Sequence, residues 1–375
     1  GKTLFVLDTP GFADFVGEMR SAVRVADTLV IAVSGTSGIE VQTDKAWQTG
    51  EEFGLPVAFY ISKLDRENAD FGKVLSDIKA VYSEKAVPVF LPIGSESSFK
   101  GVVDILRSKA YIYEINGSGK FSEGDVPADM AADVASARET LVETVVEADD
   151  EMMMRYLDGE TISDDELLPV LRKAIASRLL LPVFPGSSTQ NVGVHQILDF
   201  IVDFFPSPLE ARTRPAKKGD KDIEVAPDPS ATFSAICFKV MVDPYVGKLS
   251  FIRVNSGTLT SDNNIFNVNK GEDERISSFK FMTGKEGKDV KEIVVGDILT
   301  LPKLQSVQVG DTLGMKGSTV MYPPIDFPKP VYSVAITAKS RADEDKLGNA
   351  INKTLEEDPS LSFEKNAETN DSVLS

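Results

Sequence analysis

A chain of 375 residues is longer than one hydrophobic core ordinarily serves, so two or three domains are expected. Its single cysteine, Cys237, excludes an internal disulfide framework, and no apolar run approaches the ~20 residues that cross a bilayer. No basic stretch followed by an apolar one marks a secretory leader, so the expected compartment is the reducing cytoplasm, with no membrane partner. The net charge of −18 argues against nucleic acid as a partner, but it is unevenly spread. Residues 111–170 hold sixteen acidic side chains against three basic ones, whereas residues 231–325 hold eleven basic against ten acidic and can approach RNA locally.

From residue 4 to about 98, strand and helix signals alternate: a strand at 4–7, a helix at 17–26, a strand at 28–33, a helix at 42–53, a strand at 56–61, a helix at 71–82 and a strand at 87–93. That alternation predicts a mostly parallel sheet covered on both faces, which binds ligands at the carboxyl ends of its strands. Between 99 and 181 the pattern gives way to an acidic insertion. Its best helix sets Leu141, Val145, Ala148, Met152 and Tyr156 on one stripe, with Met152, Met153 and Met154 read as core filling. The strand pattern resumes at 182–184, and a helix follows at 194–205. A proline-rich, charged stretch, 206–230, reads as a linker. Short alternating runs over 231–325, punctuated by Gly, Asn and Asp, predict a small antiparallel β-barrel. The last fifty residues give a strand at 331–337, a helix at 341–357 and a short strand at 361–363.

Three motifs close apolar strands. Asp8-Thr9-Pro10-Gly11 is a turn whose carboxylate can hold Mg²⁺ through water, while Pro10 stiffens the turn and Gly11 brings a backbone N–H to an anion such as a γ-phosphate. Ser62-Lys63-Leu64-Asp65 stands where GTPases carry Asn-Lys-x-Asp: Asp65 would accept from guanine N1 and N2, Lys63 would pack along the base, and Ser62 would steady the loop with a hydroxyl in place of an amide. Guanine selectivity is expected to survive through Asp65, weakened. Gly186-Ser187-Ser188 follows a third strand, where the same kind of site places a Ser-Ala loop behind the base. Each motif is ordinary turn chemistry by itself; their order and spacing point to a guanine nucleotide.

These residues resemble the translation elongation factor G family over essentially the whole chain. Residues 8–15 are similar to its Asp-Thr-Pro-Gly-His-x-Asp-Phe. Phe99-Lys100-Gly101-Val102-Val103-Asp104-Ile105-Leu106 is similar to the entrance of its inserted subdomain. The run from Asp243-Pro244-Tyr245 to Arg253, with Ser256-Gly257-Thr258-Leu259, is similar to its second domain. The resemblance implies a partial α/β P-loop GTPase-type domain over 1–205 with an acidic, α-rich insertion at about 99–181. After the 206–230 linker it implies a translation-factor β-barrel over 231–325 and the start of a ferredoxin-like α+β domain over 326–375. It further implies GTP or GDP with Mg²⁺ as ligands, the ribosome, through its RNA and proteins, as partner, and a monomer.

Two departures from the family stand out. The phosphate-binding loop Gly-x-x-x-x-Gly-Lys-Ser/Thr and the first switch are not found: Gly1-Lys2-Thr3 runs straight into an apolar strand, and Gly117-Ser118-Gly119-Lys120 has Glu114 where the first glycine belongs. The chain therefore reads as a piece whose beginning lies upstream, expected to bind GTP poorly by itself. Phe12 occupies the position of the family's water-orienting histidine and offers no hydrogen bond, so no catalytic residue is intact and hydrolysis is expected to be slow, as in divergent elongation factor G-like paralogues. The one histidine, His195, reads as structural. Two other readings stay open: a non-catalytic ribosome-binding module, and a ribosome-protection factor of the tetracycline-resistance type.

Overall fold

The computed structural model describes residues 1–375 apart from Pro244, Asp262, Ala367 and Asn370, so Pro244 of the barrel motif lies outside the described residues. Two compact units are present: Gly1–Leu4 with Ala26–Ser207, and Phe5–Val25 with Pro208–Ser375. No helix among the described residues is long and apolar enough to cross a membrane.

Residues 1–11 form no regular element, and a 3-10 turn, Ala13–Phe15, leads into α1, Val16–Val25. The strand expected over 4–7 is not formed. An apolar run becomes a strand only where its amides and carbonyls meet a neighbouring ladder, and these residues have none among the described residues. Phe5 and Leu7 instead bury their side chains within the second unit, near Val25, Ile236, Phe238 and Tyr322, with the Phe5 ring 5.5 Å from that of Phe281.

The first unit runs β1 (Leu29–Ser34), α2 (Val41–Glu52), β2 (Val57–Ser62), α3 (Phe71–Val81), β3 (Ala86–Pro88), β4 (Phe90–Ile93), β5 (Gly101–Asp104), β6 (Lys109–Tyr113), β7 (Phe121–Asp125), α4 (Ala131–Val146), α5 (Asp150–Leu157), α6 (Asp164–Ala176), β8 (Leu181–Pro185) and α7 (Val194–Phe204). A parallel sheet has the order β1-β2-β8-β3, with Ser34 opposite Ser62 and Phe59 opposite Val183. Its inner strands β2 and β8 are apolar and buried on both faces, as helical cover on both sides requires. The strand expected at 87–93 divides in two. Pro88 brings no amide to the parallel ladder, Val89 bridges by donating to Val183 O at 3.2 Å, and β4 turns into an antiparallel sheet of order β4-β5-β6-β7.

That antiparallel sheet opens the acidic insertion, and its α-rich part follows at 131–176. The predicted stripe is buried at Leu141, Val145, Ala148 and Met152 but spans two helices. Asp149 breaks it: its carboxylate accepts the Met152 amide at 3.1 Å, a local bond that competes with helix continuation and starts α5 afresh. Met152 fills core as expected, whereas Met153 and Met154 are exposed, because the restarted helix points them outward.

In the second unit, the stretch read as a linker contains a hairpin, β9 (Arg214–Lys218) and β10 (Lys221–Val225), whose alternation over Ala216, Ile223 and Val225 is masked by its lysines. The barrel is an eight-stranded antiparallel sheet centred on the long hairpin β11 (Ser234–Asp243) and β12 (Gly247–Ser256). Its core holds Ala235, Cys237, Ile252, Val254, Phe279, Leu299 and Leu313. Beyond it, α8 (Arg341–Glu357) accompanies a three-stranded sheet of Val334–Ile336, Ser372–Leu374 and Phe363–Lys365.

Candidate functional site

Two motifs come together at the carboxyl ends of neighbouring parallel strands. Ser62 ends β2 and Gly186 follows β8, and the turns beyond them are bonded to each other: the Leu64 amide donates to Gly186 O at 3.3 Å, and the Gly186 amide to Ile61 O at 3.0 Å. Lys63 stands between with a φ of 60°, a conformation that is uncommon outside glycine and persists where the surroundings fix it. Here Arg66 N donates to Lys63 O at 3.1 Å, closing the turn that aims Asp65. Lys63 itself is exposed, leaving its aliphatic stem free to lie along a flat ligand.

Ser62 is held by its own hydroxyl, which donates to Val33 O at 3.2 Å, and by its carbonyl, which accepts the Gly35 amide at 2.8 Å. Ser187 is fully buried and trades backbone bonds with Val192 at 3.1 and 2.9 Å, making a tight loop of residues 187–192. Ser188 Oγ lies 3.2 Å from Tyr60 Oη. Burial pushes the Tyr60 phenol up, the bond to Ser188 opposes that, and the charge of Asp65 adds to the rise, so Tyr60 stays a neutral phenol at ordinary pH.

Asp65 is the unusual group. Its side chain is only 12% exposed; Oδ2 accepts from Thr189 Oγ1 at 3.2 Å and lies 3.7 Å from Arg66 Nε, while Oδ1 is buried with no hydrogen-bond partner. A buried carboxylate oxygen without a donor is costly, and such groups are retained where a ligand completes them. A base edge carrying two adjacent N–H donors has the chemistry this acceptor lacks. Sequence reasoning did not single out Thr189, Tyr60 or Gly35; adjacency to Ser187-Ser188 was the only signal for Thr189, and Tyr60 looked like one more core aromatic.

Asp8, Thr9, Pro10 and Gly11 belong to the second unit, in the irregular segment before α1; Asp8, Pro10 and Gly11 are exposed and Thr9 is half-buried. Among the described residues no group of three or more His, Cys, Asp or Glu could hold a metal ion. Asp8 is an exposed carboxylate, of a kind that could hold Mg²⁺ through water. Phe12 heads the 3-10 turn and is 76% exposed. His195, on the first turn of α7, packs edge-on against Phe121 with ring centres 5.6 Å apart.

Comparison with known proteins identifies the assembly. Residues 1–207 match the model of the elongation factor Tu GTP binding domain, residues 232–316 that of elongation factor G domain 2, and residues 327–375 that of elongation factor G domain III. The chain is 38% identical to the elongation factor G of Rhodopseudomonas palustris (strain BisB18), over 100% of its own length and 54% of that protein's. A crystal structure from Thermus thermophilus matches with a TM-score of 0.85 at 32% identity, covering 98% of this chain and 52% of that one. The chain thus spans about half the length of the relatives it matches. Three family models matched in this order along the chain, with a relative 38% identical over its whole length, leave one conclusion: the chain belongs to the elongation factor G family of translational GTPases.

Proposed function

We propose that this chain is part of a GTP-binding elongation factor that, intact, acts on the ribosome as a monomer in the cytoplasm and hydrolyses GTP slowly. Family membership supports guanine nucleotide as the ligand, and the observation that carries the residue assignment is the buried, donor-less Oδ1 of Asp65. Asp65 reads the N1 and N2 donors of guanine, Lys63 packs along the base, Ser62 steadies the turn, and Ser187 and Ser188 form the loop behind it. Asp8 holds Mg²⁺ through water, Thr9 and Pro10 shape the turn, and the Gly11 amide meets the γ-phosphate.

Slow hydrolysis follows from Phe12. Its ring neither donates nor accepts a hydrogen bond, so it cannot orient the attacking water as the family's histidine does. In the intact protein, introducing Phe12→His is expected to raise ribosome-stimulated GTP turnover; a wild-type rate already equal to that of a standard translocase, or no gain in the variant, refutes this reading. Ribosome association should differ among GTP, GDP and no nucleotide, because a switch requires differential affinity. Equal association in all three would make the protein a non-catalytic ribosome-binding module instead.

A further inference from the structure

Thr189 makes a long-range bond that the Ser187-Ser188 loop does not need for its own shape. Its Oγ1 donates to Asp65 Oδ2 at 3.2 Å and lies 3.3 Å from Ser187 Oγ, which accepts the Gln190 amide at 3.2 Å. An ionised carboxylate only accepts, so the Thr189 proton points to Asp65 and the Ser187 hydroxyl proton points to Thr189. Each bond in such a chain strengthens the next. Arg66 approaches the same oxygen at 3.7 Å, so among the described residues the donors found at this carboxylate converge on Oδ2 and none on Oδ1. On the far side of the loop, Gly119, at a φ of 72°, lets the turn of the acidic insertion lie close to Asn191, where a Cβ would overlap the Asn191 side-chain amide.

We propose that Thr189 is the positioning residue for base recognition: by occupying Oδ2 it fixes the Asp65 carboxylate so that Oδ1 is the oxygen offered to the N–H donors of a purine. This rests on the assignment of Asp65 as the guanine acceptor. Thr189 touches no base itself and acts through Asp65.

The test compares GDP and ADP binding, by ligand-observed NMR at millimolar nucleotide, in the wild type and in Thr189→Val, Thr189→Ser and Asp65→Asn. ADP shares the ribose and phosphates, so the ratio of affinities isolates the base. Thr189→Val keeps the shape and removes the donor; the GDP preference is expected to fall by about tenfold, the worth of a hydrogen bond to a charged group, and to be retained in Thr189→Ser. An unchanged or increased preference in Thr189→Val, or an equal loss for both nucleotides, overturns the proposal while a lost preference in Asp65→Asn keeps the guanine assignment standing. A wild type without GDP preference, unaltered by Asp65→Asn, overturns both. A crystal structure of Thr189→Val supplies a nucleotide-free criterion: the carboxylate is expected to leave its rotamer, and an unmoved Asp65 refutes the positioning role.

Discussion

The close approach at Gly186 gives the sharpest test of how the candidate site is built. A Cβ placed there would lie 2.6 Å from Tyr60 Cε2, 2.8 Å from Tyr60 Oη and 2.9 Å from Val192 O, where carbon contacts ordinarily sit at ~3.5–4.0 Å. None of these neighbours yields easily. Val192 is held by paired backbone bonds to Ser187, the Tyr60 hydroxyl is bonded to Ser188, and Gly186 is itself bonded to Ile61 and Leu64. Overpacking of this kind costs about 2 kcal/mol, so Gly186→Ala should lower the unfolding temperature of the first unit by about 4–8 °C. Trp47 reports that unit specifically: it is the chain's one tryptophan and stacks on Phe59 and Tyr82, with ring centres 5.9 and 5.1 Å away. Fluorescence-monitored unfolding of Gly186→Ala, Tyr60→Leu and the double variant separates the causes. If the Tyr60 ring is the obstacle, the alanine costs about 1 kcal/mol less in the leucine background. A cost below about 0.5 kcal/mol for Gly186→Ala, or full additivity in the double variant, would refute the argument.

Burial pushes the Cys237 thiol up to about 12, and its Sγ–H donates to Lys239 O at 3.6 Å, so alkylation near pH 8 should proceed only through opening of the barrel. Its rate should rise with urea in step with unfolding; rapid labelling of the native protein would contradict this. Glu166 is held down to about 2 by hydrogen bonds from the Ser163 hydroxyl, then Arg155, then the Ser163 amide at the start of α6. A carboxyl depressed in the folded state contributes stability above its unfolded pKa, here the ordinary 4.5, and loses that contribution as pH falls toward about 2. The urea midpoints of wild type and Glu166→Gln should accordingly converge as pH is lowered through that window, and a gap that stays constant would be inconsistent with the capping role.

What could be read in the sequence follows the range of the interactions involved. The parallel sheet was legible because β2 and β8 are buried runs bounded by turn residues, a pattern that needs no knowledge of partners. The helix expected over 341–357 is formed over those same residues as α8. Residues 4–7 carry the same kind of run but pair with nothing among the described residues, and pairing is not written in a single strand. Likewise the fate of the methionines depended on one cap, Asp149, which reset the helical phase and turned Met153 and Met154 outward. Within the candidate site, Ser62, Lys63, Asp65, Ser187 and Ser188 are local signals at strand ends. Thr189 and Tyr60 matter through contacts 124 and 128 residues away in the chain, which no local pattern carries.

Ser62 shows how far one substitution weakens such a site. An asparagine would offer two amide protons where serine offers one, and that difference underlies the expectation of weakened selectivity. The one proton is used, on Val33 O, tying the end of β2 to the end of β1. The rest of the restraint is carried by backbone: Gly35 N to Ser62 O at 2.8 Å, Asp70 N to Gly35 O at 3.0 Å, and Leu64 N to Gly186 O at 3.3 Å. Backbone bonds do not depend on which side chain stands at position 62, so the turn keeps its shape with serine there. On the proposed assignment the discriminating chemistry lies three residues on, in a carboxylate whose free oxygen is desolvated and whose other oxygen is taken. Adenine at that edge would leave the buried oxygen unmet and bring no second donor, a penalty set by Asp65 and its neighbours and only distantly by Ser62.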